Sequence, residues 1–299
     1  MANKLKIFWT VLNNAARLFI KNDPLRMAGA TAFFTLFALP PILIILVRLF
    51  SLMVDPQTIR HEVFTSLSSV LGKEAVRQIG VVIRGFRQLT YTWLAAIIGF
   101  AFLLFVATTL FRVIKNSINQ IWSIEKPQGK KVLITLQSRL QSLLVILSIG
   151  ILFSVGVFIE TAQVVIGNYF IQFFPALSSF LSQLLAFIIS TFITAVWFLV
   201  VFRYLADGRP SWHIAWVGAL FTSFLFSTGK IILHVLLTYN NITTIYGASA
   251  SVVLLLLFVF YSSMILYYGA AFTFVWGQQK GFAIEERKHK LVKQIEQVL

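Results

Sequence analysis

The chain has 299 residues, of which 58% are hydrophobic and only 12% are charged, and it contains no cysteine. A soluble domain of this size could not bury so much apolar surface, so the composition predicts an integral membrane protein. The missing cysteines exclude disulfides, thiolate metal ligands and cysteine nucleophiles.

The formal net charge of +15 arises from 25 lysines and arginines against 10 acidic residues. The cations are concentrated between the apolar stretches, where membrane topology and anionic lipid headgroups account for them. No compact basic block is interleaved with stacking aromatics. The expected partners are therefore membrane lipids and not nucleic acid.

The N-terminal segment, residues 1–22, predicts an amphipathic helix that lies in the membrane plane on the cytoplasmic side. Over Lys4–Lys21 its apolar residues recur at helical spacing, and its lysines and arginine supply a wet face. Asp23 is then expected as a helix N-cap and Pro24 as the first residue of the next helix.

Residues 23–277 contain six apolar stretches, each long enough to cross a bilayer as a helix. We predict an all-α integral membrane protein with six transmembrane helices, followed by a basic cytoplasmic tail over residues 278–299. The Pro40-Pro41 pair is expected to interrupt and kink the first span. The predicted spans are Leu25–Met53, Tyr91–Arg112, Leu140–Thr161, Phe180–Tyr204, Trp212–Tyr239 and Ala248–Trp276.

The distribution of lysine and arginine predicts that both termini lie in the cytoplasm. The connections over residues 163–179 and 240–247 contain neither residue and are assigned to the outside. The connection over residues 55–90 is also placed outside, although it carries several cations. Its periodicity favours amphipathic helices on the outer surface, and a miscounted span is the alternative.

A polar stripe runs along the fifth predicted span. At 100° per residue its members fall within one quarter of the helix circumference, and they are Ser223, Ser227, Lys230, His234 and Thr238. A lysine within a bilayer costs about 2.5–3.5 kcal/mol on insertion scales, so it should face protein or water. His234 is either a proton relay or a neutral, hydrogen-bonded histidine, and we favour the second.

Two further charges fall in the outer half of the predicted bilayer, Arg48 and Glu160. Glu160 is the only carboxylate within a predicted span, and we expect it to pair with Lys230 or Arg48. One interpretation is a water-filled, cationic vestibule for an anionic solute or lipid headgroup. The other is snorkelling of side chains towards the interface together with one structural ion pair.

Polar residues near the cytoplasmic side are interpreted first as structural. Arg203, Asp207 and Arg209 bracket a tight turn, for which gating or phosphate binding is the alternative. Asn119 and Trp122 resemble an interfacial anchor, and a binding site is the alternative. The histidines and carboxylates form no metal-ligand spacing, and no phosphate-binding glycine-rich loop is present. We expect no metal, no cofactor and no enzymatic activity.

Four segments resemble the YihY/BrkB family of bacterial inner-membrane proteins. They are AGATAFFTLFALPPILIIL from Ala28, SINQIWSIE from Ser117, FRYLADGRPSWHIAWVGALF from Phe202 and YGASASVVLLLLFVFYSS from Tyr246. The resemblance implies a multi-pass, six-span helical protein of the inner membrane. It also implies a link to envelope integrity, with suspected export or lipid handling. The sequence departs from the family pattern at Ala271, where an acidic residue is usual, and at Phe258, where tryptophan is usual.

Three functions follow from these patterns. The first is a transporter or exporter, or a lipid-handling protein, for an anionic or polar substrate that passes along the fifth span. The second is a scaffold that recruits envelope partners without transport. The third, a ribonuclease, is an old label of the family and lacks the clustered acid and base groups that hydrolysis requires. Aromatic and small-residue faces permit a homo-oligomer without requiring one.

Overall fold

The computed structural model describes residues 2–50, 77, 80–81, 93–124, 178–239, 250–282 and 284, and these residues contain helices and no strand. Six long helices carry the fold, and a short π-helical turn, Val201–Leu205, follows the fourth. The expected all-α class is confirmed for this part of the chain. The helices are α1 Ala2–Lys21, α2 Pro24–Phe50, α3 Trp93–Ile121, α4 Ser178–Val200, α5 Trp212–Tyr239 and α6 Ala250–Gln279. The predicted third span, most of the outer connection and most of the basic tail lie outside the described residues.

The junction of α1 and α2 is a two-residue turn. α2 begins at Pro24, as predicted, because proline at the first helical position needs no backbone donor. Asp23 adopts a left-handed conformation with φ of 61°, which differs from the extended conformation usual for an N-cap. Its carboxylate lies 3.5 Å from Nε of Arg26, one turn into the helix.

Two helices differ from the sequence prediction. α2 continues through Pro40 and Pro41 to Phe50, so the prolines do not interrupt it. α3 extends to Ile121, nine residues past the predicted end at Arg112. It closes with Ser123 in the left-handed region at φ of 53°, and the amide of Ile124 donates to the carbonyl of Asn119 at 2.9 Å.

α6 lies at the centre of the described bundle and packs against α1, α2, α3 and α5, while α4 packs against α5. Buried hydroxyls link three of these helices. Thr31 on α2 lies 2.5 Å from the hydroxyl of Tyr267 on α6, and Ser117 on α3 hydrogen-bonds the same tyrosine. Each hydroxyl therefore has a partner inside the protein, as burial requires.

α1 packs across α6 through one apolar face. Phe8 meets Phe272 edge to face at 6.1 Å, and the Tyr268 hydroxyl donates to the Leu12 carbonyl at 3.2 Å. Trp9 points away from this contact and is 73% exposed. The amphipathic character predicted for α1 is thus present, and its position in the membrane plane stays a prediction.

Within the described residues, three helical stretches are long and apolar enough to cross a membrane: Phe187–Leu205, Trp212–Ile232 and Val252–Gln279. They correspond to the predicted fourth, fifth and sixth spans. The six-span arrangement as a whole extends beyond the described residues and stays a prediction.

Candidate functional site

Lys230 lies on α5 inside one of the candidate membrane spans. Its side chain is half-buried, and its ammonium nitrogen lies 5.5 Å from the centre of the Phe226 ring, one turn earlier on the same helix. An aromatic face at this distance attracts a cation electrostatically, most strongly where water is excluded. The aromatic ring therefore offsets part of the cost of placing this charge in the membrane.

The two serines of the predicted stripe lie on the buried side of α5. The hydroxyl of Ser227 lies 3.1 Å from that of Thr191 on α4, and the Ser223 hydroxyl donates to the Leu220 carbonyl at 3.0 Å. Both hydroxyls are therefore satisfied by protein in this conformation. Ser227 forms part of the α4–α5 contact, a role that the sequence pattern left open.

The remaining predicted site residues are less well defined. His234 and Thr238 lie on α5 and Arg48 on α2, but their side chains fall outside the described part of the structure. Glu160 lies outside the described residues altogether. Its expected pairing with Lys230 or Arg48 stays a prediction.

α5 and α6 are held together by a reciprocal threonine and glycine contact. Thr222 on α5 packs over Gly269 on α6, where an added Cβ would lie 2.7 Å from the threonine Cγ2 and nearer still to its hydroxyl. Thr273 on α6 packs over Gly218 on α5 in the same way. Each threonine also donates to the carbonyl four residues earlier on its own helix, at 2.6 Å and 2.7 Å, which fixes its rotamer.

The close packing of α5 on α6 continues towards Lys230. Gly229 leaves room for the ring of Tyr261 on α6, since an added Cβ would lie 2.6 Å from the tyrosine Cε1. Small residues thus allow a close approach of the two helix backbones at Gly218, Gly229 and Gly269. α5 and α6 are therefore closely packed as far as Gly229, the residue before Lys230.

A second polar cluster lies near the start of α5, at the end opposite Lys230. From the sequence, Asp207 and Asn119 were interpreted only as parts of a turn and of an interfacial anchor. The Asp207 carboxylate lies 2.8 Å from the Lys115 ammonium and accepts from the Asn119 amide at 2.7 Å. The Asp207 backbone amide donates to Asn119 Oδ1 at 3.0 Å. We call Lys115, Asn119 and Asp207 the Asp207 clamp, because they fasten α3 to the turn between the π-helical segment and α5.

Aromatic residues surround the Asp207 clamp. The buried Trp122 indole donates to the Ala270 carbonyl on α6 at 2.9 Å and packs on Phe202. Arg203 donates to the Pro210 carbonyl, and its guanidinium lies 5.0 Å from the centre of the Trp212 ring. These contacts fit the structural interpretation of Trp122 and Arg203, which stays a prediction. The spacing of Lys115 and Asn119, one helical turn apart, could have indicated a shared partner, but not that the partner is Asp207.

Comparison with known proteins identifies the family. The sequence profile described as virulence factor BrkB matches residues 15–294, nearly the whole chain. The chain belongs to this family. Three relatives of the BrkB family protein are named UPF0761 membrane protein. That of Pseudoalteromonas translucida is 26% identical over 82% of this chain and 79% of its own length, and that of Mannheimia succiniciproducens is 26% identical over 88% of each.

The third relative, from Pseudomonas paraeruginosa, is longer. It is 24% identical over 85% of this chain, and the match spans 60% of its own length. No solved structure matches the chain. The resemblance inferred from the four sequence segments is therefore confirmed, and this BrkB family member is a membrane protein.

Proposed function

We propose that this BrkB family protein moves an anionic or polar solute, or a lipid headgroup, along α5 within a six-span bundle of the bacterial inner membrane. The observation that carries the proposal is Lys230, a half-buried cation within a candidate membrane span. Charges in such positions are costly and generally mark substrate or ion pathways. The positive-inside distribution of lysine and arginine supports cytoplasmic placement of both termini.

The proposal assigns different roles along the polar stripe. Lys230 attracts the anion, and His234 and Thr238, further along α5, contact it. Arg48 and Glu160 stand at the outer end of the pathway. Ser223 and Ser227 border the pathway from the protein side, because their hydroxyls already bond to Leu220 and Thr191.

A second candidate function, a scaffold that does not transport, is favoured by the α5–α6 contact. The reciprocal packing of Thr222 with Gly269 and of Thr273 with Gly218 leaves no space between the helices at those levels. A pathway along α5 must therefore lie on another face of the helix. A scaffold needs no such opening.

Replacement of Lys230 by methionine distinguishes the two functions. Lys280 provides a matched control, because its ammonium lies 5.3 Å from the centre of the Trp276 ring, again one turn earlier, but at the exposed end of α6. Purified wild type, K230M and K280M would be reconstituted in liposomes. Each would be assayed for movement of a fluorescent phospholipid between leaflets and for efflux of a panel of small organic and inorganic anions.

We expect K230M to slow transport of the responsive substrate by about tenfold or more, equivalent to about 1.4 kcal/mol in the barrier, with K280M close to wild type. If the wild-type protein accelerates movement of the phospholipid but not efflux of the anions, the lipid-handling version is favoured. If it accelerates efflux of anions, the solute version is favoured. A correctly folded K230M with wild-type rates, or a wild type that moves none of these probes, would favour the scaffold.

A further inference from the structure

Lys230 points into the interior of the described bundle, between α4 and α6. At about 100° per residue it lies about 60° around α5 from Ser227, whose hydroxyl contacts Thr191 on α4. It lies about 100° in the other direction from Gly229, which packs against Tyr261 on α6. The polar stripe therefore faces the angle between these two helices.

A chain of aromatic rings begins directly at Lys230. Its ammonium lies over the Phe226 ring, and Phe226 meets Phe198 of α4 edge to face with ring centres 5.9 Å apart. Phe198 stacks on Phe202 at 6.2 Å, and the Phe202 ring centre lies 6.4 Å from that of Trp122 on α3. We call these four residues the aromatic column: Phe226, Phe198, Phe202 and Trp122. The column runs from Lys230 towards the Asp207 clamp.

The aromatic column is sealed at the end near the clamp. Phe202 is 0% exposed and Trp122 is 2% exposed, and Trp122 lies against Gly208 in the turn that the clamp fastens. Exposure along the polar stripe rises away from this end, since Ser223 is 0% exposed and Lys230 is half-buried. In this conformation the stripe is therefore closed at the clamp end.

The aromatic column crosses a point at which the backbone can bend. Phe202 lies on the π-helical turn Val201–Leu205, whereas Phe198 lies on the last turn of α4 itself. Single π-helical turns are rare, occur frequently at functional sites and are among the places where helices kink. A bend at this turn would separate the two stacked rings.

We propose that the aromatic column is a gate that closes the pathway along α5 at the clamp end, which is the cytoplasmic end in the predicted topology. This inference rests on the proposed function, because a gate requires a pathway. Apolar constrictions block ions and polar solutes by excluding water, and transporters open their two ends in turn. The structure accordingly represents a state closed towards the clamp, and opening separates Phe198 from Phe202.

The test measures from which face of the membrane position 230 can be reached. K230C would be treated with a charged, membrane-impermeant thiol reagent in intact cells and in inverted membrane vesicles. K280C, at the exposed end of α6 near the clamp, identifies the clamp face. F198A would be added to K230C to remove a central ring of the column, and F198L would replace it if F198A does not fold. F221A is the matched control, because Phe221 stacks on Phe272, outside the column.

We expect little labelling of K230C from the clamp face, labelling of K230C/F198A that is faster by about tenfold or more, and no change in K230C/F221A. Equal clamp-face labelling of folded K230C with and without Phe198 would overturn the gate, and so would rapid clamp-face labelling of K230C itself. The proposed function fails on a different result, namely no labelling of K230C from the opposite face. Clamp-face labelling that appears only with F198A would still show that the column closes this end.

Discussion

The contact between Thr222 and Gly269 allows the packing of α5 on α6 to be tested by adding a single methyl group. In G269A the new Cβ would lie 2.7 Å from Thr222 Cγ2, whereas ordinary contacts begin at 3.4 Å, so the threonine must move by at least about 0.7 Å. The displacement overpacks the interface, which costs about 1–3 kcal/mol. It also disturbs the bond from the Thr222 hydroxyl to the Gly218 carbonyl at 2.6 Å, worth about 1 kcal/mol.

These costs total about 2–4 kcal/mol, and the better helix propensity of alanine offsets about 1 kcal/mol of them. We therefore expect G269A to lower the free energy of unfolding by about 1–3 kcal/mol. Gly29 on α2 is the matched control, because an added Cβ there meets no atom within 4 Å. G29A should leave stability unchanged or raise it by up to about 1 kcal/mol.

Unfolding would be followed by tryptophan fluorescence and circular dichroism in mixed micelles of dodecyl maltoside and increasing sodium dodecyl sulfate. The double variant T222G/G269A removes the obstructing side chain and should recover part of the loss in G269A. Unfolding of G269A and G29A at the same detergent fraction would contradict this explanation. So would a double variant whose loss of unfolding free energy equals the sum of the losses of its two single changes.

Three further predictions concern other parts of the protein, and the first two use the same unfolding assay. D207N removes the negative charge that pairs with the buried Lys115 and should lower the free energy of unfolding by about 1–3 kcal/mol. D23N, at an exposed ion pair, should lower it by less than about 1 kcal/mol. Equal losses in the two variants would contradict the stabilising role of the Asp207 clamp. W122F removes the hydrogen bond from the buried indole to the Ala270 carbonyl and puts a smaller ring in its place, so it should lower the free energy of unfolding by about 1–3 kcal/mol. W9F, at an exposed position, should be neutral, and a W122F variant as stable as wild type would show that this contact does not contribute. T10C should react with an impermeant maleimide in inverted membrane vesicles and not in intact cells, and the reverse would overturn the predicted topology.

Most helices could be predicted from the sequence because apolar runs of membrane length leave few alternatives. α5 begins and ends where its apolar run does, at Trp212 and Tyr239. α3 could not be delimited in this way. Its apolar run ends near Arg112, but the helix continues because Lys115 and Asn119 find a partner in Asp207, 88 residues further along the chain from Asn119. Such a partner is set by tertiary packing, which periodicity does not report.

The candidate site, too, could be predicted from the sequence only in part. Helical periodicity correctly placed Ser223 and Ser227 on one side of α5, but it could not show which neighbour they face. The structure places Thr191 of α4 against Ser227 and the Phe226 ring beneath Lys230. A polar stripe on a membrane helix is equally compatible with a wet pathway and with contacts between helices, and the partner residues decide between them.

Cysteine labelling can show whether position 230 borders a hydrated space. The natural chain has no cysteine, so single variants give an unambiguous signal. K230C would be treated in intact cells with a charged, membrane-impermeant thiol reagent and compared with F224C, on an exposed face of α5, and with S227C, on its buried side. If Lys230 lines a hydrated pathway, K230C alone should be labelled rapidly. If K230C is as unreactive as F224C and S227C, Lys230 is enclosed by lipid or protein and the proposed pathway does not exist.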